Sequence, residues 1–500
     1  MSEAAATTIP SEDPQAGKLA DFSDKLSPML VKELRQGMRT NLFTIAFILL
    51  QAFMVLCMLI GSAEQGDDTT RFFFWFFVIT AMLVVQPIRG FGALSTEMTL
   101  NTMDLIQLTR LGAWRITFGK WAAIVAQSLL LITGILPYVV MRYFLGGVNL
   151  FQELLMIFYV ILGSMLLTAM TVGFSSFKSV LLRVALLIGG GIGFSTLMGI
   201  VSAVYVTSAF TGMAPRSYFW ESIGMVLAAA YATYYLLDLG ASRIAPESAN
   251  HSSRKRLISM AFILVMLCLP FFGVEQAFSF VTAGIVIALV GIDAITESPT
   301  VLPGVLRPFS RNAITRLAAG VLVPGWHTGL RFFLICVAVF VGALFIHVDR
   351  SNFFDMQNWL GTVAAVASIT FPLLIIHLFF FPVTYSQFYF GLYILIQVCV
   401  LAVGWFIGGV AEIGSGLDPL LYMCFPIPFV CFLAASISNN DDPYFFIAAL
   451  AFFVFSLVVP AVRSLPIFKR MRETFAAIDE GDDDSIVETS ERQIIPKGAE

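Results

Sequence analysis

The chain has 500 residues, of which 58% are hydrophobic and 12% are charged, and its mean hydropathy is +0.86. These values exclude an ordinary soluble globular protein and indicate a polytopic membrane protein. The formal net charge is −4, and the acidic excess lies towards the C-terminus, so we expect no binding to nucleic acid.

Two features precede the first apolar stretch. Residues 1–28 are rich in Ala, Ser, Asp and Pro and lack the pattern of a cleaved signal, which predicts a disordered, cytosolic N-terminus. Leu30, Leu34 and Met38 then share one helical face, with charged residues elsewhere. This pattern predicts an amphipathic elbow helix in the membrane interface; a helix that simply continues into the first span is the alternative.

Six apolar stretches follow, each close to the roughly 17 to 25 residues that a helix needs to cross a bilayer. They are residues 42–60, 72–88, 121–141, 154–174, 184–206 and 220–239. Basic residues concentrate in alternate loops, and the positive-inside rule places those loops in the cytosol. The loop between the second and third stretches therefore faces the cytosol.

That loop contains a polar, amphipathic segment, residues 97–120, which we call the coupling segment. Its apolar residues recur near helical spacing with charged residues between them, which predicts a short helix at the membrane surface. Its motifs, in order, are Glu97, Thr-Met-Asp-Leu at 102–105, Thr-Arg-Leu at 109–111, Trp-Arg-Ile at 114–116 and Gly-Lys at 119–120. This order resembles the coupling segment of ABC transporter permeases of the type-2 (exporter) class. The sequence departs from that pattern at Asn101, Arg110 and Arg115.

The resemblance implies that a separate cytosolic ATP-binding subunit docks on this segment. The residues expected to contact it are Glu97, Asp104, Leu105, Leu108, Arg110, Leu111, Trp114 and Arg115. The chain has no phosphate-binding loop motif, so we expect ATP and Mg²⁺ to be bound by the partner, and no catalytic residue, cofactor or metal in this chain. The alternative is an amphipathic surface helix that only lies on lipid.

A polar linker, residues 241–256, divides the predicted permease halves 29–240 and 257–465. Its basic cluster favours a lipid-headgroup anchor. The second half has apolar stretches at 257–273, 277–295, 332–348, 359–381, 388–410 and 444–462. Its long polar loop, residues 296–331, repeats the Thr-Arg-Leu triplet at 315–317. This echo predicts a second contact surface at Arg311, Thr315 and Arg316.

Residues 412–438 contain Pro426 and Pro428 within a further apolar stretch and are flanked by acidic residues. We interpret them as a re-entrant hairpin, because an additional span would place the basic residues after 462 on the outer side. The predicted fold is therefore an all-α polytopic membrane protein of about 12 transmembrane helices in two six-span halves. Both termini are cytosolic, and residues 466–500 form an acidic tail.

Ionisable residues are scarce in the middles of the predicted spans, which favours an externally powered transporter over an ion-coupled one. The polar exceptions Gln51, Gln127, Gln397 and His377 either line a substrate path or form hydrogen bonds between helices. We thus expect an exporter permease in a bacterial cytoplasmic (inner) membrane, contacting lipid and working alone, as a homodimer or with a second permease. The rival hypotheses are a non-transporting membrane scaffold and a polytopic lipid-modifying enzyme.

Overall fold

The computed structural model describes most of the chain between residues 28 and 480. The described residues are 28–63, 68–95, 98, 112–145, 150–177, 179–180, 182–184, 186–187, 215–246, 250–299, 301–347, 356–385, 388–413 and 443–480. Within these ranges every regular element is helical and no strand occurs. The prediction of an all-α chain is confirmed for this part of the molecule.

Contacts divide the chain into two compact units, one formed by residues 1–178 and 239–243 and the other by residues 179–238 and 244–500. The first unit contains α1 (Pro28–Met38), α2 (Asn41–Ala63), α3 (Asp68–Ile79), α4 (Ala113–Leu145) and α5 (Leu150–Phe174). After α3 the chain stays helical through a π-helical turn (Thr80–Val85), a short α-helical turn (Gln86–Ile88) and a 3-10 turn (Arg89–Gly92).

The second unit contains the longer series of helices. They are α6 (Pro215–Ile244, of which residues Leu239–Arg243 belong to the first unit), α7 (His251–Cys268), α8 (Gln276–Ile295), α9 (Ala313–Leu322), α10 (Trp326–His347), α11 (Met356–Phe379), α12 (Tyr389–Ile413) and α13 (Pro443–Glu480). Two short turns, Pro303–Leu306 and Arg307–Phe309, lie between α8 and α9.

Nine helical segments in the described part of the chain are long and apolar enough to cross a membrane. They are 43–62, 72–92, 113–144, 153–174, 223–244, 251–272, 278–295, 326–347 and 450–479. The chain is thus an α-helical polytopic membrane protein. Most of the predicted span 184–206 and almost all of the predicted re-entrant region 412–438 lie outside the described residues, as do 1–27 and 481–500. The total of 12 spans and the interfacial position of α1 stay predictions.

The first unit has its core between α2, α3 and α4. Met54, Phe74, Leu131 and Ile135 are fully buried there, while many apolar residues on the outer faces of the same helices are exposed. An apolar exterior around an apolar core is what a helix bundle needs when its solvent is hydrocarbon.

The second unit is centred on α10. Trp326, Phe332 and Phe333 are fully buried and pack in one cluster with residues of α7, α8 and α12. The approach of α8 to α10 is close enough that a Cβ atom at Gly329 would overlap the carbonyl oxygen of Ala294. The two helix backbones pack directly against each other at this point, as small residues allow in membrane helices.

Because backbone lies opposite Gly329, we expect Gly329→Ala to separate α8 and α10 and to lower the free energy of unfolding by about 1–3 kcal/mol. Thermal unfolding of the purified protein in detergent measures the change. Gly342→Ala, on the same helix but with no atom within 4 Å of the added carbon, is the matched control. Equal unfolding temperatures for the two variants would contradict the close approach.

The polar stretch 241–256 contains the end of one helix and the start of the next. α6 ends at Ile244 and α7 begins at His251, where the Asn250 side chain accepts a hydrogen bond from the Ser253 amide at 3.1 Å and caps the helix. Residues 466–480, the first part of the predicted tail, are the last turns of α13.

Candidate partner-docking surface

The structure places only the last part of the coupling segment. Six of its eight predicted contact residues lie outside the described residues: Glu97, Asp104, Leu105, Leu108, Arg110 and Leu111. The remaining two, Trp114 and Arg115, are on the first turn of α4, which begins well before the apolar stretch predicted for it. Arg115 is exposed, and the half-buried Trp114 ring lies 6.2 Å from the Phe118 ring, centroid to centroid.

Helix α1 is joined to the chain on both sides of the coupling segment. At the end of the segment, Lys120 Nζ on α4 lies 3.1 Å from Glu33 Oε1 on α1, and both side chains are largely buried. Before it, Arg89 donates to the carbonyl oxygen of Gly37 at 3.0 Å. Helix α1 is therefore in contact with a residue that precedes the coupling segment and with the last residue of that segment.

The three glutamines predicted for a substrate path differ in their surroundings. Gln127 is buried on α4, and its Oε1 accepts a hydrogen bond from Arg89 Nη1. Gln127 thus forms a hydrogen bond between helical segments, which is the alternative to a place in the substrate path. Among the described residues, Gln51 Nε2 and Gln397 Oε1 are buried without a hydrogen-bond partner. These two remain candidates for a polar path.

The second predicted surface, residues 296–331, is folded around α9. The backbone N–H of Asn312 donates to Thr315 Oγ1 at 3.0 Å, and Thr315 Oγ1 donates to the Phe309 carbonyl at 2.9 Å. This hydroxyl group therefore caps the N-terminus of α9. Arg316 Nη2 lies 2.6 Å from both carboxylate oxygens of Asp479 on α13. Arg311 is exposed. A partner contact through these three residues stays a prediction.

Two residues of the linker's basic cluster, Lys255 and Arg256, are internal, which corrects the interpretation of these two as a lipid-headgroup anchor. Lys255 Nζ lies 2.5 Å from Asp293 Oδ2, and Arg256 Nη2 lies 2.7 Å from Glu297 Oε2. Both basic side chains are buried. The more exposed Arg254 pairs at 2.7 Å with Asp238, which is fully buried. Burial of charges requires such partners, because an isolated ion loses its hydration.

Arg256 also holds the loop between α9 and α10. Its Nη1 donates to the carbonyl oxygens of Val321 and Val323 at 2.7 and 3.0 Å and to Thr328 Oγ1 at 3.0 Å. Its Nη2 donates to the Gly325 carbonyl at 3.2 Å as well as to Glu297. One guanidinium group from α7 therefore joins the end of α8, the end of α9 and the start of α10.

The inner face of α9 packs against the end of α13. Ala319 and Val323 form one buried cluster with Phe468, Met471 and Phe475. The opposite face carries two exposed apolar side chains, Ile314 (83% exposed) and Leu317 (79% exposed). Sequence reasoning missed this pair, although the i, i+3 spacing of Ile314 and Leu317 is a detectable signal.

No protein-family model, no curated protein and no solved structure matches this chain.

Proposed function

We propose that this protein is the transmembrane permease subunit of an ABC-type exporter, powered by ATP hydrolysis in a separate cytosolic subunit. The proposal rests on the motif order of residues 97–120 and on their position, which follows the apolar helical segment 72–92 and runs into the start of the segment 113–144. A chain without a phosphate-binding loop motif needs an external ATPase for such work.

The observation that carries the proposal is the way the coupling segment is attached. It follows the 3-10 turn that contains Arg89, and its last residues, Lys120 among them, form the start of α4. Arg89 and Lys120 both bind α1. When the ATP-binding subunit closes on ATP, its push on the segment moves α1 and α4 as one rigid body. Trp114 supplies an apolar anchor and the exposed Arg115 a charged contact.

The test is capture of an ATP-binding protein from the source organism by the detergent-solubilised full chain. We expect wild type to retain such a protein and the Asp104→Arg/Trp114→Ala variant to lose it by about tenfold or more, because an aromatic anchor commonly contributes 2 kcal/mol or more to an interface.

The matched control is Phe144→Ala, which removes an exposed aromatic ring (80% exposed) at the other end of α4. This variant is expected to capture the ATP-binding protein like wild type. If neither wild type nor the control captures an ATPase, the exporter proposal fails and the scaffold and lipid-enzyme hypotheses take its place.

A further inference from the structure

Helix α9 presents apolar side chains outward although it is too short to cross a membrane. It has 10 residues, and Ile314 and Leu317 project from it on the face opposite α13. In an aqueous environment, this exposure of two large aliphatic side chains is unfavourable relative to burial. Some apolar phase is therefore expected to cover them.

The charge of the surrounding segment indicates which phase this is. Residues 298–331 contain four arginines and no acidic residue. Arg316 faces Asp479 of α13, and Arg331 stacks on the Phe468 ring at 3.6 Å. The other two, Arg307 and Arg311, are exposed in the turns that lead into α9. Exposed arginines beside exposed aliphatic residues match the boundary between anionic headgroups and acyl chains.

The attachment of α9 keeps it at the level of that boundary. Its C-terminal loop is hydrogen-bonded to Arg256 within the second turn of α7, and α10 begins immediately after the loop. Segments 251–272 and 326–347 are both apolar enough to cross the membrane. The ends of two such helices lie where the bilayer meets water, so α9 lies there too.

We propose that α9 is an interfacial helix that docks on the membrane itself, with Ile314 and Leu317 among the acyl chains and Arg311 on the phosphate of an anionic lipid. In contrast to the coupling segment, this surface then has no ATP-binding subunit as its occupant. The inference requires only that the chain spans a membrane, and it stands whether or not the exporter proposal is correct.

The experiment places a bimane fluorophore on Ile314→Cys or Leu317→Cys, in full-length protein whose six native cysteines are replaced by alanine. The protein is reconstituted in nanodiscs of phosphatidylglycerol and phosphatidylcholine. We expect quenching by brominated phosphatidylcholine to be about twofold or more larger at positions 314 and 317 than at the control Glu473→Cys. Glu473 is an exposed residue on α13, between two residues that pack behind α9.

Aqueous iodide that quenches the labels at 314 and 317 as strongly as the label at 473 would overturn the proposal. If the ATP-binding subunit then removes that quenching, α9 is a protein-docking surface instead of a lipid-docking one. This outcome also refutes the lipid assignment.

A second measurement avoids the cysteine replacements. The unfolding temperature of wild type in nanodiscs is expected to rise when phosphatidylglycerol replaces part of the phosphatidylcholine, and this rise is expected to be smaller in Arg311→Gln. The proposed docking would be contradicted if phosphatidylglycerol raised the unfolding temperature of Arg311→Gln as much as that of wild type and Leu317→Glu unfolded at the wild-type temperature.

Discussion

Arg256→Ala is expected to lower the free energy of unfolding by about 3–5 kcal/mol, the usual cost of removing one partner of a buried ion pair. Arg256 is almost fully buried and pairs with Glu297 at 2.7 Å. The substitution leaves that carboxylate without its guanidinium partner and also removes the donor of the Val321, Val323 and Gly325 carbonyls. Thermal unfolding in detergent, followed by tryptophan fluorescence, measures the loss.

Two further variants separate the charge of Arg256 from its geometry. Arg256→Lys keeps the positive charge but presents a compact ammonium group, so it is expected to recover only part of the lost stability. Arg470→Ala removes an exposed arginine of α13 and is expected to change the free energy of unfolding by less than about 0.5 kcal/mol. If Arg256→Ala were as stable as Arg470→Ala, contacts other than those of Arg256 would hold the loop between α9 and α10.

Glu153→Ala is expected to have a comparable effect in the first unit, also about 3–5 kcal/mol. Arg142 in the last turn of α4 lies 3.1 Å from Glu153 in the first turn of α5, and both side chains are buried. The guanidinium group also lies 4.4 Å above the Phe74 ring. Each charge is next to the helix end that favours it, which adds to the pairing.

The test for this ion pair is a double-mutant cycle. Arg142→Leu/Glu153→Leu removes both charges and is expected to unfold at a higher temperature than either single variant, because no buried ion then lacks a counter-charge. Additive losses in the double variant would mean that the two side chains do not interact. The same unfolding assay in detergent serves all four proteins.

Hydropathy located most of the long apolar helices of the described chain, and the reason is physical. A hydrocarbon layer of about 30 Å requires a nearly continuous apolar stretch, and such stretches are visible without tertiary information. The predicted span 42–60 lies within α2, Asn41–Ala63. Hydropathy failed at the start of α4, because Arg115 and Lys120 are helical but charged. The partner of Lys120, Glu33, is 87 positions away in the chain.

The candidate surfaces were less predictable than the spans. A buried, paired arginine and an exposed one have the same local sequence pattern, so the sequence predicts only a polar linker at Arg256. Its partner Glu297 is 41 positions away. Ile314 and Leu317 were not singled out, since aliphatic residues at helical spacing normally face a protein core. Only the packing of the other face of α9 on α13 shows that these two point outward.

Helix α13 is unusually long for a membrane helix. Its 38 residues correspond to about 57 Å at 1.5 Å per residue, whereas the hydrocarbon layer is about 30 Å thick. Its C-terminal turns carry Asp479, which pairs with Arg316 of α9, and Phe475, which packs against α9. One continuous helix therefore runs from the membrane interior to the interfacial helix α9. Pro460 and Pro466 are the positions at which this helix can bend. A long helix responds to a change in bilayer thickness by tilting. Because α13 contacts α9, such a tilt would change the depth of α9 at the membrane surface, so α9 would respond to bilayer thickness.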